Sequence, residues 1–211
     1  MAALTSPDWP LRFPWGAVVG STQRAFILEE RGQNQHALSC SGEQTMTGDA
    51  AGRQGAGAVR QSNAALDAEL IDQLSRLLAK EASADHPPGE WDALQVAGHL
   101  TEFPAFFALD LRRWLADRSV TVGRTHENAA RLAAVDHGAL SQRDPDQLLG
   151  AVEQALIDLA DALESVTDDD LDSTMRNIRY GEEPLRLFLD RYVLGHKAEH
   201  IAQLKSMRGQ R

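Results

Sequence analysis

Apolar residues recur at helical spacing in four separate stretches of the chain. Leu66, Leu70, Leu74, Leu77 and Leu78 fall three and four residues apart, which marks one apolar stripe and predicts a first helix from about 62 to 82. Asp85-His86-Pro87-Pro88-Gly89 is its expected stop. A second stripe reads Val96, His99, Phe103, Phe106, Asp110 and Trp114. Its start is marked by Asp92 with Gln95 three residues on, a capping box, while Trp91 and Val96 occupy the hydrophobic-staple positions. Pro104 lies inside this pattern and predicts a kink just beyond His99. The third stripe, Leu148, Val152, Leu156, Leu159, Leu163 and Val166, begins at Asp144 as cap with Pro145 in the first helical position. Thr167-Asp168-Asp169-Asp170 then reads as a solvated acidic turn. The fourth helix is expected to open at Glu182-Glu183-Pro184, with its acids placed against the helix dipole. Leu185, Leu189, Tyr192, His196, His200 and Met207 follow on one face, and Gly209 is the expected stop.

Between the second and third helices, residues 119–143 form a long connection. Val120-Thr121-Val122-Gly123 reads as too short and isolated for a sheet, and Glu127 to Val135 as a short helix. Four long amphipathic helices without a strand predict an all-α protein, a four-helix bundle over residues 61–211. Residues 1–60 are different. Gly, Ser, Gln and Ala dominate between Arg31 and Gly57, the composition of a segment that cannot offset its ordering entropy. The segment reads as a largely disordered tail, or as an over-extended reading frame with Met46 as the true start; Trp9, Phe13, Trp15, Phe26 and Ile27 would let part of it dock as an arm.

Charge narrows the partners. The net charge is −10 over 211 residues. Residues 1–60 hold five arginines and five acids, so residues 61–211 carry the whole excess, 16 basic against 26 acidic side chains. An acidic domain repels phosphate backbones, which argues against nucleic-acid binding. No run approaches the ~18 apolar residues of a membrane span, and no charged n-region precedes an apolar h-region at the N-terminus. The single cysteine, Cys40, allows no internal disulfide and fits a reducing compartment, so a cytoplasmic protein is expected.

The candidate chemistry lies in Gly195-His196-Lys197-Ala198-Glu199-His200-Ile201-Ala202-Gln203. Two histidines four apart on a helix share one face, with Cβ atoms roughly 6 Å apart, and an imidazole pair of this kind can hold a metal ion. Taken alone, an inward histidine is more often a hydrogen-bonded core residue. Three features shift the balance toward a metal: His196 and His200 share the stripe of Leu189 and Tyr192, His99 lies on the inward face of another helix, and neighbouring buried imidazoles resist being charged together, a conflict that metal binding resolves. A three-histidine centre of His99, His196 and His200 would keep a position open for water or a small molecule, as catalytic zinc sites do. Zinc is the first choice of ion, with nickel or iron as alternatives.

Trp91…His99-Leu100 in the second helix and His196-Lys197-Ala198-Glu199-His200-Ile201-Ala202-Gln203 in the fourth together resemble the DinB-like (YfiT-like) superfamily of metal-dependent enzymes. The resemblance covers roughly residues 62–207. It implies a four-helix bundle with up-down-down-up connectivity, whose metal triad takes one histidine from helix two and two from helix four, the positions of His99, His196 and His200 here. It further implies a metal-dependent hydrolase or a transferase acting with a low-molecular-weight thiol cosubstrate such as bacillithiol or mycothiol. A thiol-dependent isomerase branch carries Glu in place of the first helix-four histidine, so His196 sets this chain with the three-histidine branch.

Other side chains are weaker candidates. Glu102 lies one turn beyond His99 and Glu199 adjoins His200; either could orient an imidazole or move a proton, although ordinary surface carboxylates are the commoner case. Tyr192, one turn before His196, could reach a substrate or belong to the core. Asp110 is the odd polar residue in its stripe, a buried partner for Arg113 or a pocket residue. Cys40 has nothing near it in sequence to lower its pKa. The sequence fits two functions: a metalloenzyme acting on a small molecule, and a non-catalytic metal-binding or stress-related dimerisation module. A homodimer through a helix face fits either.

Overall fold

The computed structural model describes residues 55–79, 91–125 and 127–209, with the backbone alone at Arg208 and Gly209. The tail through residue 54, with Cys40 and Met46, and the predicted end of the first helix at 80–89 lie outside the described residues. Four long helices build the framework: α1 (Ala56–Leu78), α2 (Ala93–Ala116), α5 (Pro145–Glu164) and a fourth that runs on from α7 (Leu185–Phe188) through a π-helical segment (Leu189–Gly195) into α8 (His196–Gly209). Between them lie the short helices α3 (Ala129–Ala134), α4 (His137–Leu140) and α6 (Asp168–Leu171), and the strands β1 (Thr121–Val122), β2 (Thr174–Asn177) and β3 (Gly181–Pro184). Among the described residues, no helix is long and apolar enough to cross a membrane.

The predicted caps are in place. Asp92 accepts from the Gln95 backbone N–H at 2.8 Å while the Gln95 side chain accepts from the Asp92 N–H at 3.3 Å, so two orphan donors of α2 are satisfied reciprocally. Asp144 accepts from the Gln147 N–H at 3.0 Å with Pro145 in the first turn of α5. Asn128 caps the predicted short helix α3.

Four expectations need correction. The first helix begins at Ala56, inside the stretch read as tail, because the Asp168 carboxylate accepts from the Ala56 N–H at 2.7 Å and supplies a start signal from a distant part of the chain. Residues 167–170 are accordingly more than a solvated turn: Thr167 and Asp170 form a capping box on α6, and Leu171 is fully buried. Thr121–Val122 does join a sheet, pairing in parallel with β2 (Thr121 with Arg176, Val122 with Asn177), while β2 pairs antiparallel with β3. Gly123 turns the chain away at φ +93°, and its N–H donates to buried Asp110 at 2.7 Å. Asp110 thereby anchors the strand to α2, beside its ion pair with Arg113 at 3.3 Å. Last, Glu182-Glu183-Pro184 form β3 and the helix starts only at Leu185. Glu182 accepts from Arg176 across the hairpin at 2.8 Å, so its carboxylate serves the sheet, and that of Glu183 lies 3.6 Å from Arg191.

The core falls into two clusters along the bundle. One gathers the C-terminal halves of α2 and α5 with Leu171, Met175, Leu185, Phe188 and Val193 around Trp114. The other packs α1 (Leu70, Leu74, Leu77) and α5 (Leu148, Val152) against Val96, Leu100 and Phe103 of α2 and Ile201 and Leu204 of α8. Phe107 touches both. The helix faces of this second cluster carry the three histidines.

Candidate metal centre

His99 is delivered by α2, whose first turns are clamped by α3. The Gln95 side chain donates to the Val135 carbonyl at 3.2 Å, and a Cβ on Gly98 would sit only 2.1 Å from the Ala134 carbonyl oxygen. Only glycine lets α3 approach so closely beside His99. His196 and His200 come from the first two turns of α8, immediately after the π-helical segment. A π-helix is rare and inserts extra backbone into each turn, so the stripe of Leu185, Leu189 and Tyr192 does not run straight on into α8. The rotation sends His196 and His200 toward α2 and turns Lys197, Ile201 and Leu204 into the core, where all three are buried.

The three imidazoles meet. His196 Nε2 lies 3.0 Å from His99 Nε2 and 3.0 Å from His200 Nε2, and one ring nitrogen from each histidine falls within 4.8 Å of the others. His99 and His200 are 4% and 6% exposed, whereas the His196 side chain is 34% exposed. The centre therefore opens to solvent along His196. Trp91 closes the other side, its ring centroid 5.1 Å from that of His99 and its plane within 7° of the His200 ring. Phe103 packs on His99 and His196 at 5.4 and 4.5 Å.

Burial, then the neighbouring His200 and His196, then Arg131 and Arg124, push His99 well below the ordinary histidine value. Burial, His200, Arg131 and Arg179 bring His196 down to about 3. Burial also lowers His200, opposed in part by its hydrogen bond with Gln203. All three rings are thus neutral at pH 7, the state in which imidazole binds metal. His200 Nδ1 donates to Gln203 Oε1 at 3.1 Å, and Gln203 Nε2 in turn donates to the Trp91 carbonyl at 3.3 Å. This relay fixes the tautomer of His200 with its Nε2 lone pair directed into the cluster.

The donor set fits a divalent cation. His196 Nε2 offers one position, a proton or a lone pair, yet has two Nε2 neighbours at hydrogen-bonding distance; a proton can bridge one pair only. A cation satisfies all three. Metal–imidazole bonds of about 2.0–2.1 Å set tetrahedral donors roughly 3.3 Å apart, within a few tenths of the two spacings that His196 Nε2 makes.

The weaker candidates are placed elsewhere. Glu102 forms a bidentate ion pair with Arg124, which lies over the Phe106 ring, so its carboxylate is committed away from the imidazoles. Glu199 is highly exposed and its oxygen is 3.9 Å from His196 Nδ1, too long for a hydrogen bond. Tyr192 stacks on Tyr180 of the β2–β3 turn with centroids 3.7 Å apart, and its ring contacts Phe188. Sequence reasoning missed the role of Gln203. Its spacing, three residues beyond His200 on the same helix face, was the available signal.

No protein-family model and no curated sequence matches the chain. Two solved structures do. One is YfiT from Bacillus subtilis, described as "a probable metal-dependent hydrolase with an unusual four-helix bundle topology", with a TM-score of 0.61 and 15% identity over 79% of this chain and 92% of that one. The other is a variant of the mycothiol-dependent maleylpyruvate isomerase, with a TM-score of 0.51 and 18% identity over 68% of this chain. The match spans 59% of the isomerase's own length. At these identities the likeness speaks to the fold, and the activity has to be argued from the site. What the likeness shows is the fold: this chain is a four-helix bundle like that of YfiT.

Proposed function

We propose that the protein is a metal-dependent enzyme acting on a small molecule, with His99, His196 and His200 as the ligands of one divalent ion. The observation that carries this reading is the convergence of three neutral imidazole nitrogens from two helices, with one approach open to solvent. Such an ion, when bound, supplies Lewis acidity that activates a water or a thiol near neutral pH. The chain's own residues do the rest. Gln203 holds the His200 ring in register, and Trp91 and Phe103 keep water from the buried edges of the centre. The half-exposed side of His196 is the path by which a substrate reaches it. Zinc suits three imidazoles with an open position. The neighbours, one described as a probable hydrolase and the other as a thiol-dependent isomerase, support hydrolysis and thiol transfer as the reactions to assay first.

Elemental analysis of the purified protein beside a His99→Ala variant tests the reading. The expected result is about one metal ion per chain, lost in the variant. Protein that takes up no divalent metal even after reconstitution would return the histidines to the core.

A further inference from the structure

Immediately beside His196 on α8, and turned toward α1, lies a charged group that the proposed chemistry does not use. Lys197 is 0% exposed. Its ammonium donates to Asn63 Oδ1 at 2.6 Å and to Asp67 Oδ1, and Asn63 Nδ2 donates to Asp67 Oδ2 at 2.7 Å. Asn63 is itself buried, and the two acceptors stand one turn apart on α1. Lys197 occupies a position in the buried stripe that continues with Ile201 and Leu204, where an apolar side chain would pack without the cost of desolvating an ammonium and a carboxylate. Stability alone does not account for it.

Direction does. Apolar contacts between helices tolerate small slides and rotations, whereas an ammonium held by two acceptors spaced along α1 admits one axial position and one rotation of α8. Such control matters most here, because the π-helical segment just upstream changes the phase of α8 relative to the regular helix before it, so contacts of α8 itself have to hold the new phase. A slip of α8 would carry His196 Nε2 out of reach of His99, which lies on a different helix.

We infer that the Lys197–Asp67–Asn63 cluster is a positioning device that locks α8 against α1 so that His196 and His200 meet His99 in ligand geometry. The inference rests on the metal reading above. It separates two quantities that a merely structural cluster would move together: fold stability and metal affinity.

The test is a Lys197→Met/Asn63→Leu/Asp67→Leu protein, titrated with cobalt(II) by calorimetry beside the wild type, at a temperature where circular dichroism shows both fully folded. The expected result is a melting temperature no lower than wild type, since replacing a whole buried polar cluster by apolar residues is often neutral or stabilising. Cobalt affinity should nevertheless drop about 10-fold or more, the usual effect of removing an outer support of a metal ligand. Wild-type affinity in the folded triple variant overturns the inference. Should the triple variant fail to fold, Asp67→Asn carries the same comparison: weaker cobalt binding supports the inference, and unchanged binding overturns it. A wild-type protein that takes up no cobalt overturns the metal reading and this inference with it, whereas uptake by the wild type with unchanged affinity in the variants overturns the positioning role alone.

Discussion

Each histidine of the centre has a distinct surrounding, and the differences translate into distinct behaviour. His200 is the one oriented by a side chain, through Gln203. Gln203→Ala should weaken metal binding about 10- to 100-fold while leaving the fold intact, to be measured by chelator competition with circular dichroism as control. His99 Nδ1 is buried without a hydrogen-bond partner among the described residues, so its ring is held by packing against Trp91 and Phe103. The lowered pKa values also set a pH dependence for the metal-free protein. Their folded values lie below the unfolded one of about 6.5, so between the two the unfolded chain binds more protons. Stability from this source is complete above about pH 6.5 and is lost as pH falls toward the folded values, about 3 for His196. Urea unfolding of metal-free protein at pH 7, 6 and 5 should show the decline, and His99→Leu, which cannot protonate, should make it shallower.

At the scale of elements, what the sequence disclosed was local. The caps at Asp92 and Asp144, the stripes of α1, α2 and α5, and the inward placement of His99 all follow from residues within a turn or two of one another. The sheet was hidden because Thr121 and Val122 find their partners at Arg176 and Asn177, far along the chain, and two residues carry no periodicity. The start of α1 was hidden for the same reason, its cap being Asp168. The π-helical segment was hidden because a stripe read at 3.6 residues per turn assumes the geometry it is meant to test; His200 is buried as read, but His196 keeps a side open to solvent and the buried Lys197 between them was not foreseen. Glycine substitutions distinguish these backbones. Gly150, in the second turn of α5 and open to space, should gain about 1 kcal/mol on replacement by Ala. Gly195 should show no such gain, because a Cβ there meets the Asp190 carbonyl oxygen at 3.0 Å across the wide turn. Chemical denaturation of the two variants checks the contrast.

Over the whole molecule, the two core clusters divide the labour. The cluster around Trp114 ties the sheet and α6 to the bundle, and the one around Leu148 and Val152 packs α1 and α5 against α2 and α8, the two helices that carry the histidines. Leu148→Ala and Leu159→Ala, one from each, should each cost about 2–5 kcal/mol in urea unfolding. Gly98→Ala, which drives a methyl group into the Ala134 carbonyl and Leu140, should cost about 1–3 kcal/mol by overpacking. A metal that binds the folded chain alone adds stability by mass action, so the melting temperature should rise with zinc concentration in the wild type and stay flat in His99→Ala.

Trp91, described above as the wall of the centre, also gives the protein a lamp beside its own site. Its indole lies in contact range of His99 and His200, whereas Trp114 is buried in the other core cluster beneath Arg118. An open-shell ion such as nickel or copper, once seated among the imidazoles, would quench Trp91 emission at this range, and closed-shell zinc would leave it bright. Occupancy could thus be followed in real time without a label or a substrate, and Trp91→Phe would put the signal out.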